Sequence, residues 1–176
     1  MRCPHIERYL ENLGEHGYDH NDVSPANPKY NCIAWAAGED HRHWWPADWD
    51  LITYYWPPHL QREPFGQQTL QNFIKAFQSL GYKKCWFSYR QKGIEKVAIY
   101  GTPKNVPTHA VRQLESGEWI WTSKCGMIDE DIKHRKLFNV GGNEYGKVIA
   151  LLKRRRDGKP FLIDVIKNWL TKKFRS

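Results

Sequence analysis

The spacing of apolar residues along the chain predicts one core helix and several strands. Between residues 68 and 80 apolar side chains recur every three or four positions, which is the spacing of a helix with one buried face. These positions are Leu70, Phe73, Ile74, Phe77 and Leu80. Shorter apolar runs at residues 85–87, 96–100 and 146–152 predict strands.

A β-hairpin is predicted at residues 107–123, with Glu115-Ser116-Gly117 as its turn. Nearer the N-terminus, residues 6–13 predict a short helix and residues 14–29 a polar loop. The sum predicts an α+β domain, in which helices pack on a four- to five-stranded, mainly antiparallel sheet.

Residues 35–58 form a Trp-rich insertion. Five of the nine tryptophans lie there, and Pro46, Pro57 and Pro58 break any long helix. Two roles remain open for these aromatic residues. They could line a substrate groove, because aromatic side chains give large, rigid contact surfaces, or they could fold into a small aromatic core of their own.

Charge is concentrated at the C-terminus. The net charge is +8, and residues 153–176 carry nine Lys or Arg against two Asp. Apolar residues at helical spacing between 162 and 170 predict a basic amphipathic helix within residues 157–176, after one domain at 1–156. A solvated helix face is the favoured interpretation. Binding of nucleic acid through this basic tail is a less favoured alternative.

Composition excludes several classes of protein. The chain has 176 residues, of which 40% are hydrophobic and 26% charged, so a single domain with a core is expected. No apolar stretch is long enough for a membrane span, and no secretory signal is seen, which predicts a protein that is cytoplasmic at synthesis, with export by a dedicated secretion system left open. The four cysteines stand singly, and His41 and His43 are interpreted as surface residues. We therefore expect neither a metal site nor a cofactor.

Cys32 is the main candidate for chemistry. It follows a polar loop and Asn31, and it opens a short apolar helix. The free N–H groups of a first helical turn stabilise a thiolate, whereas a buried packing role is the ordinary fate of a cysteine. His109, at the start of the predicted hairpin, supplies a base downstream of the cysteine, which is the chain order of papain-like hydrolases.

Several motifs extend this similarity over roughly residues 25–155. They are Asn-Cys-x-Ala-Trp-Ala-x-Gly, Trp-Trp-Pro, Lys-Val-Ala-Ile-Tyr, Thr-His-Ala-x-Arg-Gln, Trp-x-Ser-Lys-x-Gly, Ile-x-His and Tyr-Gly-x-Val. The set resembles a poorly characterised family of small bacterial proteins, with a core similar to the NlpC/P60 and CHAP branch of papain-like enzymes. The resemblance implies a papain-like fold.

The resemblance also implies roles for single residues. Cys32 would be the nucleophile and His109 the general base. The usual third polar position falls on Trp121, so Ser123 is preferred over Glu118 as the residue that orients the imidazole. Oxyanion contacts are expected from Asn27 and Asn31, although both are equally good turn or N-cap residues and the cap is favoured for Asn31. Substrate contacts are expected from Trp35 and Trp45.

The sequence therefore predicts a papain-like cysteine hydrolase. Peptidase, amidase, deamidase and acyltransferase chemistry share its first steps, and a toxin or effector role with a peptide or protein substrate and an inhibitor or immunity protein is one analogy. The alternative is a catalytically inert binding protein on the same scaffold, which would use the Trp-rich insertion and the basic tail.

Overall fold

Seven strands form one antiparallel sheet in the computed structural model, which describes residues 20–24, 27–48, 53–118, 120–125, 131–161 and 164. The strands are β1 (His20–Ser24), β2 (Lys83–Lys84), β3 (Ile94–Gly101), β4 (Pro107–Gln113), β5 (Trp121–Lys124), β6 (Asp131–His134) and β7 (Lys147–Arg155). Their order across the sheet is β1-β6-β5-β4-β3-β7-β2, and every paired neighbour is antiparallel.

Two short α-helices accompany the sheet in the described residues, α1 (Cys32–Ala37) and α2 (Leu70–Ser79). A single 3-10 turn lies at Leu137–Val140. Thr69 caps α2 through its side-chain oxygen, and α2 confirms the helix predicted at residues 68–80. Gly38 ends α1 with a φ of 91°, a left-handed conformation that glycine adopts without steric cost.

Both faces of the sheet are buried. On the helix face, α1 and α2 cover side chains of the central strands, including Val97, Ile99 and Ala110. On the far face, a second cluster packs around Tyr100 and Trp121. Burial on both faces explains why β3 is an almost continuous apolar run in the sequence.

The predicted papain-like fold is wrong. Instead of helices on a four- to five-stranded sheet, the described residues form a seven-stranded sheet with only two short α-helices. The predicted hairpin is present as β4 and β5. β1 and β6 are not predicted from the sequence, because neither strand has an alternating apolar pattern. Ile132 is the one apolar residue of β6.

Smaller corrections follow at the other predicted elements. The strand predicted at residues 85–87 is displaced to β2, and β1 lies inside the stretch 14–29 that was predicted as loop. The helix predicted at residues 6–13 lies outside the described residues. So does most of the predicted basic helix at 157–176.

The Trp-rich insertion contributes to the core of the helix face. Trp44 and Trp56 are buried, and the Trp56 ring lies 5.2 Å from that of Phe73 in α2. The Trp56 indole N–H donates a hydrogen bond to the side-chain oxygen of Asn72, also on α2, at 3.4 Å. These contacts support the interpretation of the insertion as an aromatic core.

Candidate functional site

The N-terminus of α1 is fixed by Asn31. Its side-chain oxygen accepts hydrogen bonds from the N–H of Ala34 at 3.1 Å and from the N–H of Trp44 at 3.2 Å. Its amide donates to the carbonyl of Trp44 at 2.9 Å. Asn31 therefore caps the helix, which is the role that the sequence favoured for it over an oxyanion contact, and it also ties Trp44 of the Trp-rich insertion to the helix.

The Cys32 thiol points at the backbone of β4. Desolvation raises the pKa of this thiol to about 11, although the N–H groups of Ala110 and Ile33 and the charge of Lys124 act in the opposite direction. Because the pKa lies far above neutral pH, the side chain is a thiol rather than a thiolate in this conformation.

His109 lies in a buried cluster with Ser123. Its Nε2 is 2.6 Å from the Ser123 hydroxyl, so the structure brings together the base and the orienting residue that the sequence suggested. The imidazole stacks on Tyr145 with 3.9 Å between ring centroids. Burial, with a smaller contribution from His134, lowers the pKa of His109 to about 3.

Cys32 and His109 lie on opposite sides of β4. Consecutive strand residues point to opposite faces, and Ala110 packs with Ile33 on the helix face. His109 faces Tyr100 on the far face, with ring centroids 5.9 Å apart. The thiol thus reaches the strand backbone beside His109, while the imidazole lies behind that strand.

The other residues predicted to contact a substrate make local structural contacts. Asn27 accepts a hydrogen bond from the N–H of Lys29, as a turn residue does. Trp35 stacks against Tyr30 at 5.7 Å, and Trp45 packs edge-on against Phe73 at 5.3 Å.

A cavity of about 670 Å³ opens at the Trp-rich insertion, and neither Cys32 nor His109 lines it. Its wall combines aromatic rings with cationic or titratable side chains and contains no carboxylate. The lining residues are Pro28, Lys29, Arg42, His43, Thr53, Tyr54, Tyr55, Trp56 and Arg62. This volume is within the usual range of small-molecule sites.

Ion pairs and ring contacts order the cavity wall. Arg42 binds Glu39 through two nitrogens, at 2.6 and 2.9 Å, and its guanidinium lies 3.4 Å from the centre of the Tyr55 ring. Arg62 binds Asp48 at 2.6 Å. These residues hold fixed positions, which is a property of preorganised sites.

His43 completes this wall. Its ring stacks on Tyr54 with 5.4 Å between centroids, and its Nε2 lies 2.7 Å from the carbonyl oxygen of Pro28, so Nε2 is the donor. From the sequence, His43 is predicted to be an ordinary surface residue. The signal that could have revealed the cavity was the cluster of Arg42, His43 and two tryptophans at 42–45, followed by three aromatic residues at 54–56.

Among the residues that the structure describes, no three His, Cys, Asp or Glu side chains gather as metal ligands would. None of the helices in that part of the chain has the length and apolar content needed to span a membrane.

These features define an antiparallel sheet protein with a half-buried Cys32, a separate His109–Ser123 pair and a cationic, aromatic cavity. The chain belongs to the family described as a domain of unknown function, DUF7689, whose model matches residues 21–153. No curated protein and no solved structure matches the chain.

Proposed function

We propose that the protein is a binding protein, and that the cavity in its Trp-rich insertion takes a small anionic molecule with a planar ring. The observation that carries this proposal is the wall of the cavity. It presents Lys29, Arg42 and Arg62 beside tyrosine rings and offers no carboxylate to repel an anion. Planar rings favour a ligand that can stack.

Of the three cationic side chains in the cavity wall, one is proposed to bind the anionic ligand. Glu39 and Asp48 neutralise much of the charge of Arg42 and Arg62. The Lys29 ammonium has no ion pair among the described residues, and its main chain is held in a turn by Asn27. Lys29 is therefore the residue proposed to meet the anionic group, while the two arginines and their rings shape the cavity.

Calorimetric titration with matched ligands tests this proposal. Benzoate and phenyl phosphate are the anionic probes, and benzyl alcohol is the uncharged match. We expect the anions to bind and Lys29→Gln to weaken their binding about ten-fold, because one charge-assisted hydrogen bond is lost. Lys75→Gln, an exposed position on α2, is the control. Equal binding of benzyl alcohol and benzoate, or no binding of either, would contradict the proposal.

A thiol hydrolase acting through Cys32 is a second candidate, and one observation favours it. The thiol faces the N–H groups of Ala110 and Ile33 and the charge of Lys124, all of which stabilise a thiolate. In such a reaction Sγ forms a bond to an amide carbon and the C–N bond breaks. The thiol proton passes through His109 to the leaving amine, and water then releases the acyl group and returns a proton to sulfur. His109 must first turn to the helix face.

Site-resolved alkylation from about pH 5 to 9 separates the two candidates. A hydrolase requires Cys32 to react faster than the other cysteines near neutral pH and to lose that advantage in His109→Gln. The binding proposal expects Cys32 to react slowly, because burial raises the pKa of its thiol to about 11. Circular dichroism of each variant checks that the fold is retained.

A further inference from the structure

The loop between β2 and β3 displays aromatic side chains to solvent. Three aromatic side chains are exposed there, Trp86 at 91%, Phe87 at 62% and Tyr89 at 59%. Large aromatic residues are usually more buried than this. The rings of Phe87 and Tyr89 lie 5.7 Å apart. We call these three residues the aromatic platform.

Two buried side chains hold the loop that carries the aromatic platform. The Lys96 ammonium donates hydrogen bonds to the carbonyls of Phe87, at 2.9 Å, and of Tyr89. The Gln113 amide donates to the carbonyl of Ser88 at 2.7 Å. Lys96 and Gln113 are each 1% exposed, so buried polar groups of the sheet bind three consecutive loop carbonyls. The exposed rings are therefore presented in a fixed arrangement rather than left loose.

A row of lysines crosses the sheet beside the aromatic platform. Lys83 pairs directly with Lys153, and Lys153 pairs directly with Lys96, on three adjacent strands. Like charges that face each other across strands repel, so each ammonium group of this row needs a compensating contact. The loop carbonyls of Phe87 and Tyr89 supply it for Lys96. Asp164 offsets the charge of Lys83 at 2.7 Å. Lys153 faces the ring of Phe161 at 5.5 Å and has no carboxylate partner in the described part of the chain.

A cavity of about 190 Å³ joins the two features. Its lining includes Trp86 and Tyr89 of the aromatic platform together with Lys84, Lys96 and Lys153, and it contains no acidic residue. The segment from residue 83 to residue 94 likewise has no Asp or Glu. Aromatic rings and ammonium groups thus line one opening.

We propose that the aromatic platform, together with Lys84 and Lys153, forms a binding site for single-stranded nucleic acid. Unpaired bases stack on exposed aromatic rings, and lysines contact the phosphates between them. Lys84 and Lys153 line the same cavity as Trp86 and Tyr89 and are available for a phosphate, whereas the Lys96 ammonium is buried against loop carbonyls. Duplex DNA does not fit as well, because its bases are already stacked. The site shares no residue with the cavity of the Trp-rich insertion.

Fluorescence anisotropy with a labelled oligo-dT of about 15 nucleotides tests the site. We expect the full chain to bind at about 50 mM salt, with an affinity that falls steeply as salt rises. Trp86→Ala and Tyr89→Ala should each weaken binding about ten-fold through lost stacking. Lys153→Gln should weaken binding and flatten its salt dependence by about one ion. Phe65→Ala, at an exposed aromatic residue outside the platform, is the control.

Four results would overturn the proposal. In the first, the folded protein does not bind oligo-dT, and in the second, all four variants bind oligo-dT equally. In the third, the protein binds a duplex of the same length as tightly as oligo-dT. In the last, the protein binds phosphatidylserine vesicles and does not bind oligo-dT. The last result would assign the aromatic platform to an anionic membrane surface. Trp86, Tyr89 and Lys153 lie away from the core clusters, so loss of binding in these variants is separable from loss of fold by circular dichroism.

Discussion

A single side chain, that of Asn31, joins α1 to the Trp-rich insertion. It accepts from the N–H groups of Ala34 and Trp44 and donates to the carbonyl of Trp44. We predict that Asn31→Ala lowers the free energy of unfolding by about 2–3 kcal/mol, because it removes a cap and leaves partly buried polar groups unsatisfied. Urea denaturation measures this change.

Asn31→Asp is the matched variant. Aspartate keeps the acceptor for both N–H groups and loses only the donor to Trp44, so the expected loss is smaller than that of alanine. If both variants destabilise the protein equally, the cap at Ala34 is not the main contribution of Asn31.

His109 makes stability depend on pH. Its pKa is about 3 in the fold, against an ordinary value near 6.5, because burial disfavours the charged imidazole. Between these values the unfolded chain binds a proton that the folded chain does not. The contribution of His109 to stability is therefore complete above about pH 6.5 and falls by up to about 1.4 kcal/mol per pH unit below it.

We predict that His109→Gln flattens this dependence. Glutamine can still bond the Ser123 hydroxyl but does not titrate, so the difference in unfolding free energy between the two proteins should shrink as the pH falls from about 6.5 to 4. Urea denaturation at several pH values provides the test. Carboxylates such as Glu39, whose pKa Arg42 lowers, titrate in both proteins and cancel in the comparison. A constant difference across this range would mean that His109 is charged in the fold.

At the scale of elements, sequence patterns predicted what depends on local periodicity. The stripe from Leu70 to Leu80 identified α2, and the turn at Gly117 identified the hairpin of β4 and β5. The pairing of strands that are distant in the chain produces no local pattern of apolar residues in the sequence. β6 has one apolar residue, Ile132, so its place between β1 and β5 is determined by contacts that no local spacing reveals.

The candidate site shows the same limit. The sequence places Ser123 and His109 on one hairpin, and their side chains lie within hydrogen-bond distance of each other. It also pairs Cys32 with His109, and that pairing depends on which face of the sheet each residue of β4 points to. Ala110 faces α1 and His109 faces away, and a shift of one residue would reverse them. A resemblance of motifs does not determine which residues of a strand point to which face of the sheet.

The contact between two chain reversals gives a prediction at this scale. Gly146, with a φ of +74°, approaches the backbone so closely that a Cβ there would lie 2.1 Å from the carbonyl oxygen of Gly101. We predict that Gly146→Ala lowers the melting temperature strongly, at a cost of about 3 kcal/mol. Gly158→Ala is the control, because Gly158 has a φ of +69° and open space around it. Its expected cost is about 1 kcal/mol, from backbone strain alone. Similar losses in both variants would show that strain, not the close approach, dominates at Gly146.

At the scale of the whole molecule, the structure spreads its ligand-facing features over separate surfaces. Trp44 and Trp56 build the core of the helix face, while the neighbouring Tyr54 and Tyr55 line the larger cavity. The aromatic platform lies at the opposite end of the sheet order from β1, beside β2 and β7. These two surfaces support the proposed binding role, whereas the half-buried Cys32 thiol has a raised pKa.

Because the two proposed sites share no residue, their energetics should be independent. Mutations at separated sites without shared partners usually have additive effects. We predict that Lys29→Gln weakens benzoate binding and leaves oligo-dT affinity unchanged, and that Trp86→Ala does the reverse. The double variant should show both losses, each equal to that of its single variant within about two-fold. Titration of each ligand, alone and with the other at saturation, measures the same independence without mutation. An affinity for oligo-dT that changes when benzoate saturates the cavity would mean that the sheet couples the two surfaces, and the protein would then be a ligand-controlled nucleic-acid binder rather than one with two separate sites.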